Sequence, residues 1–518
     1  MKITKELLIN ISLSFATILL FNIRQISIYD EPEMRVHWGI CLFCLSPFFA
    51  LVFLLINNNH FRSIPDTPLL PTNGLVQSKR LQVLIFVTIT ISYMLFSSLA
   101  VTISKAACLL GFPFGTIVGF VIIVIARHLS AQGNDLKMKS PGAICFFLAC
   151  GWTATAWALG IFLGTFVALS AQMWKAVWLI QPIRWVGFWG LEFLVAWTNV
   201  VLGYWIYRFI FKERLMGRLY NSGIRVPFLT VWMVWISLSL LILFDRKNYK
   251  NMVSVAAVSP AKTEISEALR LSKEAVNFGA GLVVWPEAWL RDINRENCLY
   301  QVSEHIAPIT IPGAWGEGIV FVIGCGGIED NSNIAFLIDN GQVTGEYGKN
   351  HPVWVLGERS DIRNGMPIFD VKLKTTRSDF AEIRLGIQIC YDMDFPADSF
   401  ALAEEGADII VQPSWDWAGV RTHYGVSIFR ATENFAPVVK ADKGFDSAII
   451  DSDGWVLGKT ENKKLVEEVI VEKVRIPQKG NKFRINPHWV GRMCFLVTFV
   501  FIFSENNFLT RTRKFFRV

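Results

Sequence analysis

The sequence predicts two architectures in one chain, a bundle of membrane-spanning helices followed by an α/β layered domain. Of the 518 residues, 52% are hydrophobic and only 18% are charged, whereas soluble domains carry about 25% charged residues. Long apolar runs fill the first 244 positions, after which charged residues recur among short β-rich runs. Such a composition excludes a disordered or fibrous chain. It divides the chain into a helical membrane domain at 1–244, a soluble domain at 245–487, and a last helix with a basic tail at 488–518.

Eight apolar runs meet or approach the roughly 20 residues that a membrane-spanning helix needs. They cover 7–21, 38–56, 81–104, 106–126, 141–173, 185–207, 226–244 and 493–503. The first run is short, but no cleavage site of a signal peptide follows it and further runs do. The fifth is longer than one span needs, so we expect it to tilt, to break near Gly160 or Gly164, or to lie partly along the membrane surface. The last reaches spanning length only with 488–492 included.

The basic residues between these runs indicate an orientation. The formal net charge is +7, but Lys and Arg lie in short connections and not on one surface motif, which argues against a nucleic-acid partner. When the eight spans are threaded alternately, seventeen Lys and Arg fall on one side and five on the other. Because cytoplasmic loops carry the positive excess, the domain at 245–487 is expected on the outer face. An error of one span would reverse this orientation.

After position 244 the pattern is that of alternating strands and helices. Strands are expected at 251–259, 281–285, 319–323, 383–389, 408–412 and 447–451, and helices at 265–276, 398–405 and 427–435. Glu287 follows the second strand, at the end where α/β sheets collect their ligands. Gly324, Gly326 and Gly327 lack the offsets of a dinucleotide-binding fingerprint, and we interpret them as a tight turn at a strand end.

Cysteine usage singles out Cys390. Six of the nine cysteines lie in the apolar runs, where small packing residues are the simplest interpretation. Cys298, Cys325 and Cys390 allow one disulfide at most, and their spacing does not indicate the pair. In LGIQICYDMDFP (385–396) a β-branched strand runs directly into Cys390 and then into a helix start. Backbone N–H groups ahead of a thiol favour the thiolate, and a buried structural cysteine is the alternative.

Glu287 and Lys349 supply the two groups that would let the Cys390 thiol attack a carbonyl. Glu287 would take the thiol proton and return it to the leaving group, while Lys349 and the backbone N–H of Tyr391 would stabilise the developing oxyanion. Glu358, nine positions after the lysine, would orient that lysine or the incoming nucleophile. Taken singly, such a charged residue is more often a solvated surface group.

Five motifs in this domain resemble the carbon–nitrogen hydrolase, or nitrilase, superfamily in order and approximate spacing. They are WPE at 285–287, a lysine after a Gly-rich hairpin at 341–349, CYDMDFP at 390–396, QPSWDW at 412–417 and RATEN at 430–434. The resemblance implies that Glu287, Lys349 and Cys390 form a Glu-Lys-Cys triad. It also implies a four-layer α-β-β-α sandwich that needs no cofactor.

The plan of the whole chain, with this domain between a seventh and an eighth span, resembles the apolipoprotein N-acyltransferase family. That resemblance implies a monomeric enzyme of the bacterial inner membrane with its catalytic domain on the periplasmic face. It would move an acyl chain from a phospholipid to the N-terminal amine of a diacylglyceryl-cysteine lipoprotein through a thioester on Cys390. Trp415 and Trp417 are candidates for a substrate lid that dips into the membrane interface, with core packing as the alternative.

Two positions depart from the pattern of those acyltransferases. Arg359 in VLGERSD (355–361) replaces an aromatic residue, and Asp392 follows Tyr391 where the acyltransferases usually place Glu. Both changes leave the triad intact and bear on the lid loops and the acyl acceptor.

Other functions use some of the same residues. A membrane-tethered amidase or nitrilase-type hydrolase would use the triad with water instead of an amine, and a non-catalytic scaffold would keep only the fold. A papain-like site would use His351 or His423 as base and Asn434 as orienting group. The seven histidines show no metal-ligand spacing, so no metal is expected. Glu192, within an apolar run, is either a functional carboxylate or a group that faces the bundle and bonds a tryptophan such as Trp185.

Overall fold

The protein is represented by a computed structural model. It describes residues 5–29, 41–60, 73–100, 106–131, 141–211, 219–245, 248–261, 264–288, 290–291, 294–327, 332–353, 358–360, 365–416, 423–460, 467–478 and 485–503.

The predicted apolar runs fold as helices. In chain order the helices are α1 (Lys5–Tyr29), α2 (Ser46–His60), α3 (Asn73–Ala100), α4 (Ala106–Ala131), α5 (Pro141–Leu163), α6 (Val177–Ile180), α7 (Ile183–Val186), α8 (Phe188–Phe211), α9 (Leu219–Phe244), α10 (Ile265–Asn277), α11 (Arg295–His305), α12 (Pro396–Glu404), α13 (Tyr424–Asn434) and α14 (Trp489–Phe503). Within the described residues, three segments are long and apolar enough to cross a membrane, namely Pro141–Leu163, Phe188–Ile210 and Ile224–Phe244. Shorter apolar helices coincide with the other five runs, so the eight-span arrangement stays a prediction.

The fifth apolar run breaks at Gly164, one of the two positions that the sequence indicates. Helix α5 ends at Leu163, and Gly164 adopts a φ of 67°, a left-handed conformation that glycine takes without steric cost. A Cβ at this position would lie 2.5 Å from the Cβ of Asp394, so only glycine lets the two backbones approach this closely. After the break the chain forms short 3₁₀ turns, Gly164–Val167 and Leu169–Lys175, and then α6 and α7.

Glu192 faces the helix bundle and is fully paired there. Its Oε1 accepts from the Trp152 indole at 2.9 Å and from the Leu169 amide at 3.1 Å, and its Oε2 accepts from the Ser170 amide at 2.8 Å. The expected tryptophan partner is therefore present, but it is Trp152 on α5 and not Trp185. Because Glu192 satisfies the first amides of the Leu169–Lys175 turn, it anchors that turn to α8.

Two sheets form the α/β domain. The strands are β1 (Tyr249–Ser259), β2 (Leu282–Val284), β3 (Leu290–Arg291), β4 (Val320–Gly327), β5 (Ser332–Asp339), β6 (Gln342–Gly348), β7 (Ile368–Lys374), β8 (Phe380–Ile387), β9 (Ile409–Ser414), β10 (Val438–Asp442), β11 (Ala448–Ile450), β12 (Val456–Lys459) and β13 (Glu468–Pro477). The first sheet has the order β13-β1-β2-β4-β5-β6, with β3 paired to β4, and the second has the order β12-β11-β10-β9-β8-β7. Both sheets are parallel at their centre, at β1-β2-β4 and at β8-β9-β10.

Helices cover the outer face of each sheet, which gives the expected α-β-β-α order. Alternate residues of the strands form one core between the sheets, where Val284 and Val322 of the first sheet pack with Leu385 and Val411 of the second. A second core lies between the first sheet and helices α10 and α11. Helices α12 and α13 cover the second sheet, and their core is continuous with that of the apolar helices. The second sheet therefore faces the apolar helices through α13.

The interpretation of Gly324, Gly326 and Gly327 as a turn is wrong, because all three lie within β4. Gly324 and Gly326 lie directly against residues 286–288, the segment that carries Glu287. A Cβ on Gly324 would lie 2.3 Å from the Pro286 carbonyl oxygen and 2.7 Å from the Glu287 Cα. Glycine at this position thus allows the loop that carries Glu287 to pack directly on the strand.

Cys298 and Cys325 form the disulfide that the sequence leaves open. Cys298 lies on α11, Cys325 lies on β4, and their Cα atoms are 6.5 Å apart. The bond fastens a covering helix to the first sheet. Cys390 is consequently the free thiol of the three.

Candidate active site

Cys390 lies at the sharp turn that follows β8. It opens a 3₁₀ turn, Cys390–Asp394, with a φ of 47°. A non-glycine residue in this left-handed region stores strain that the surroundings must hold. The turn is held by the Gln412 amide, which donates to the Cys390 carbonyl oxygen at 3.2 Å. The side chain is buried, so the thiol faces the interior of the domain.

Glu287 and Lys349 meet beside this turn. Glu287 follows β2 and Lys349 follows β6, and the Lys349 Nζ lies 2.7 Å from the Glu287 Oε1. Glu358 binds the same ammonium through both of its oxygens, at 2.8 and 3.0 Å. Glu358 therefore lies where it could orient the lysine, one of the two roles expected of it, and that role stays a prediction. The charges of Glu287 and Lys349 both act on the Cys390 thiol, so the three predicted residues form one site.

Asn333 is a member of this cluster that the sequence did not indicate. Its Nδ2 donates to the Glu287 Oε1 at 2.7 Å and also to Glu358. It is the second residue of β5, and the Lys349 amide donates to its carbonyl oxygen at 2.9 Å. Asn333 thus fixes both carboxylates relative to the lysine. The asparagine lies 46 positions from Glu287, and nothing in its local sequence signals the contact.

Two carboxylates share one ammonium in this cluster, and their pKa values move apart. Burial raises the pKa of Glu287, and Lys349 only partly offsets this rise. Glu358 is less buried, and Lys349 lowers its pKa below the usual value. Burial alone would lower the pKa of Lys349, but Glu287 and Glu358 hold it well above its usual value. A carboxylate with a raised pKa beside a permanent cation suits a general base that must work near neutral pH.

The resting thiol is protonated, contrary to the expectation that its position alone favours the thiolate. Burial, and next the charge of Glu287, raise the pKa of Cys390 to about 11. Lys349 and His423 act in the opposite direction but do not outweigh them. The backbone amides ahead of the sulfur do not overcome the loss of hydration in a buried site. A base must therefore take the proton during attack, and Glu287 is available for that.

Asp392 holds the shape of the turn. One of its oxygens accepts from the His351 amide at 2.7 Å, and the other accepts from the Tyr347 hydroxyl at 2.8 Å and the Ile389 amide at 3.0 Å. Burial raises the pKa of Asp392 to about 6. Asp392 is thus a structural support for the Cys390 turn.

A second cluster of charged groups contacts the thiol from the second sheet. The Nε2 of His423 lies 2.6 Å from the Asp394 Oδ2, and its Nδ1 lies 3.0 Å from the Asp416 Oδ1. The Lys440 Nζ lies 2.9 Å from the other oxygen of Asp416. Burial alone would lower the pKa of His423, but Asp416 and Asp394 hold it well above its usual value. The sequence indicated His423 only as the candidate base of a papain-like site. Its carboxylate partners lie in separate loops, so the sequence did not indicate this cluster.

The papain-like arrangement does not fit this geometry. An imidazole that donates from both nitrogens has no lone pair with which to accept a thiol proton. Asn434 ends α13 while His423 precedes its first residue, and the Asn434 amide donates to the Arg430 carbonyl oxygen at 3.0 Å. His351 instead pairs with Asp398 at 2.9 Å.

Two sets of side chains have the spacing of metal ligands. Atoms of Cys390, Asp416 and His423 lie within 4.8 Å of one another, as do atoms of His351, Asp392 and Asp398. In the first set the imidazole nitrogens both face carboxylates, so they offer no lone pair to a cation. In the second set both oxygens of Asp392 already accept hydrogen bonds. The expectation that the protein uses no metal remains a prediction.

The remaining predicted residues lie around the site or outside the described residues. Trp415 is partly buried, and the Lys443 Nζ lies 4.7 Å from the centre of its ring. Arg359 is exposed. Trp417, the other residue of the predicted lid, lies outside the described residues. The backbone N–H of Tyr391 as oxyanion donor stays a prediction.

Comparison with known proteins shows which family and which relatives this chain is similar to. Residues 257–477 match the carbon-nitrogen hydrolase family. The chain is 28% identical over 329 residues to an apolipoprotein N-acyltransferase of Geobacter metallireducens, which covers 57% of this chain and 61% of the relative. It is 32% identical over 130 residues to an apolipoprotein N-acyltransferase of Rickettsia bellii, which covers 24% of each chain. The chain thus spans about three fifths of the first relative's length and about a quarter of the second's.

Among solved structures, an amidase from Nesterenkonia sp. AN1 is 19% identical with a TM-score of 0.33, and the match covers 43% of this chain and 92% of the amidase. The family match at 257–477 includes all three residues of the predicted triad. Residues 257–477 therefore match the carbon–nitrogen hydrolase family, in a chain that is similar in sequence to apolipoprotein N-acyltransferases.

Proposed function

We propose that this chain is a membrane N-acyltransferase that moves a fatty acyl chain from a phospholipid to the N-terminal amine of a diacylglyceryl-cysteine lipoprotein. The acyl chain would pass through a thioester on Cys390. Relatives named apolipoprotein N-acyltransferase support this class, and the Glu287–Lys349 pair beside a buried thiol supports the chemistry.

The observation that carries the proposal is the contact between the Cys390 turn and the end of a candidate membrane span. Tyr391, directly after the cysteine, donates its hydroxyl to the Leu163 carbonyl oxygen at 2.8 Å. Leu163 is the last residue of α5. A phospholipid ester lies at the ends of spanning helices, where the hydrocarbon core meets the head groups. The proposed nucleophile thus adjoins the end of a candidate span, the membrane depth at which the ester of a phospholipid would lie.

Further contacts fix the domain on the ends of the helices. Arg184, four residues before α8 begins, forms an ion pair with Asp453 of the domain. The ring of Trp174 packs edge-on against Tyr424 at 5.1 Å, at the start of α13. Rigid contacts of this kind would hold the domain in a fixed position relative to its lipid substrates and reduce the entropic cost of their encounter.

The reaction would proceed in two halves. Glu287 takes the proton of Cys390 as the sulfur attacks the phospholipid ester, and it returns the proton to the lysophospholipid alkoxide that leaves. Lys349 and the Tyr391 backbone N–H stabilise the tetrahedral oxyanion. In the second half, Glu287 takes a proton from the lipoprotein amine as that amine attacks the thioester, and the sulfur leaves.

The proposal includes the eight-span topology with the domain at 245–487 outside the cytoplasm. The Cys298–Cys325 disulfide supports this location, because such bonds persist in oxidising compartments and are rare in the cytosol. The basic excess in the connections on the opposite side supports the same orientation.

A transfer assay tests the proposal. Purified protein in vesicles of phospholipid with a labelled acyl chain is given a synthetic diacylglyceryl-cysteine peptide, and the Cys390→Ala variant is the control. The expected product is a peptide heavier by one acyl chain, made by the wild-type protein alone. Release of free fatty acid without acylated peptide, or cleavage of simple amides in its place, would contradict the proposal and favour the hydrolase.

A further inference from the structure

The thiol of Cys390 has charged neighbours on two sides of the domain. Glu287 and Lys349 reach it from the loops of the first sheet, and both belong to the proposed triad. Asp416, which follows β9, and His423, which precedes α13, act on it from the side of the second sheet. This second group has no role in the triad, yet side-chain atoms of Asp416 and His423 lie within 4.8 Å of the sulfur.

The contacts of His423 define its charge. A neutral imidazole carries one N–H, so it can donate to one acceptor only. Here Nε2 lies 2.6 Å from a carboxylate oxygen of Asp394, and Nδ1 lies 3.0 Å from one of Asp416. Both nitrogens therefore donate, and the ring is an imidazolium.

Asp416, one of the two carboxylates beside the ring, has fixed partners of its own. Lys440 lies 2.9 Å from Asp416 and 2.6 Å from Asp442, and all three side chains are fully buried. The Ser414 hydroxyl donates to the same Asp416 oxygen that faces His423, at 3.2 Å. With its lysine partner Asp416 stays ionised, because Lys440 and His423 lower its pKa. The imidazolium thus has fixed counter-ions and a fixed position.

We propose that His423 is a second cationic partner of the Cys390 sulfur, independent of Lys349, and that it stabilises the sulfur when it leaves the acyl group. The pairing of imidazolium and sulfur stands on geometry, because their side-chain atoms lie within 4.8 Å of each other. Its use in resolving a thioester rests on the proposed acyltransferase function.

The step balances as follows. The lipoprotein amine nitrogen forms a bond to the thioester carbonyl carbon, and its proton passes to Glu287. The carbon–sulfur bond then breaks, and its electron pair goes to the Cys390 sulfur as a thiolate beside the His423 imidazolium. Glu287 finally gives its proton to that sulfur, which restores the resting thiol. His423 keeps its protons throughout, so it acts by charge and not as an acid or base.

The test measures how readily Cys390 ionises. The rate at which iodoacetamide labels Cys390 is followed by mass spectrometry across pH in the wild-type protein, in His423→Gln and in His305→Gln. His305 is a matched control because it lies exposed at the end of α11. Glutamine keeps a hydrogen-bond donor at position 423 but removes the charge, so the labelling midpoint of His423→Gln should rise.

A rise of one pH unit corresponds to labelling about tenfold slower at any pH below the midpoint. His305→Gln should leave the midpoint where it is. An unchanged midpoint in a folded His423→Gln would overturn the proposal, since a merely structural histidine would alter stability without moving the ionisation of the sulfur.

A second measurement needs no variant. In wild-type protein with ¹⁵N-labelled histidine, the nitrogen shifts at about pH 8.5, well above the usual range of histidine, should show at least one doubly protonated ring. Only neutral rings at that pH would refute the proposal even if His423→Gln fails to fold. Failure of acyl transfer with an intact midpoint shift would instead count against the proposed function and leave the His423–Cys390 pairing in place.

Discussion

Replacing Glu287 by glutamine separates two effects that usually move together, the reactivity of the thiol and the rate of transfer. After burial, the charge of Glu287 is the largest cause that raises the pKa of Cys390 to about 11. A thiol with that pKa is ionised to about one part in a thousand at pH 8, and each unit by which the pKa falls increases the thiolate about tenfold. Glu287→Gln should therefore label faster with iodoacetamide at pH 8 than the wild-type protein.

The same variant should lose acyl transfer, because no group remains to take the proton of the thiol or of the amine. General-base catalysis contributes about 10²–10⁴-fold, so a loss of that size is expected. Both rates are measured on one preparation, with Glu274→Gln on the exposed face of α10 as control. Slower labelling in Glu287→Gln, or a wild-type labelling rate that no longer increases above about pH 9, would refute the assignment of Glu287 as the base beside a protonated thiol.

Three further outcomes follow from the packing. Gly324→Ala should destabilise the domain by about 1–3 kcal/mol, as overpacking does, and reduce transfer about 100-fold, because the new Cβ meets the Glu287 backbone at 2.7 Å. Gly281→Ala, with 3.5 Å to its nearest neighbour, should do neither; equal losses in both would contradict this. Trp415→Ala should slow transfer between lipids more than turnover of a short soluble ester, and an equal effect on both substrates would exclude a lid. Thiol labelling should modify Cys298 and Cys325 only after reduction, and reduction should lower the stability by about 3.5 kcal/mol for the 27-residue separation. Two thiols that label without reduction would place the domain in a reducing compartment.

The parts of the fold that depend on local pattern were predictable from the sequence. The strand at 251–259 and the helix at 398–405 correspond to β1 and α12, because alternation of apolar residues and helix signals are short-range properties. The break of the long apolar run at Gly164 was predictable for the same reason, since a glycine is where a chain can turn. The residues of the proposed triad were found through motifs, each of which is local.

Contacts between distant segments were not predictable. The Asn333 side chain donates hydrogen bonds to both Glu287 and Glu358. Neither its residue type nor its neighbours in the sequence indicate that role. His423 is connected to Asp394, 29 positions away, by the return of α13 across the second sheet. The interpretation of the β4 glycines as a turn was wrong, because they lie where another loop packs on the strand. The spacing of residues along one strand does not reveal such a contact.

Burial explains the other disagreement. A helix start beside Cys390 suggested a thiolate, but the side chain is withdrawn from water and the charge of Glu287 lies close by. The sequence shows that backbone amides lie next to the thiol, but it does not show whether the thiol is hydrated. The loss of hydration dominates when a charge is enclosed. The site is therefore one in which the proton must be moved during the reaction.

We propose that Cys390, with Glu287 and Lys349, takes an acyl chain directly from a membrane lipid. The most direct measurement is the mass of the Cys390 peptide after the protein is incubated with phospholipid and no acceptor. The wild-type protein should carry one long-chain acyl group on Cys390, removable by neutral hydroxylamine as a thioester is, and Lys349→Met should carry none. An unmodified Cys390 in wild-type protein, or an acyl group on another residue, would contradict the account.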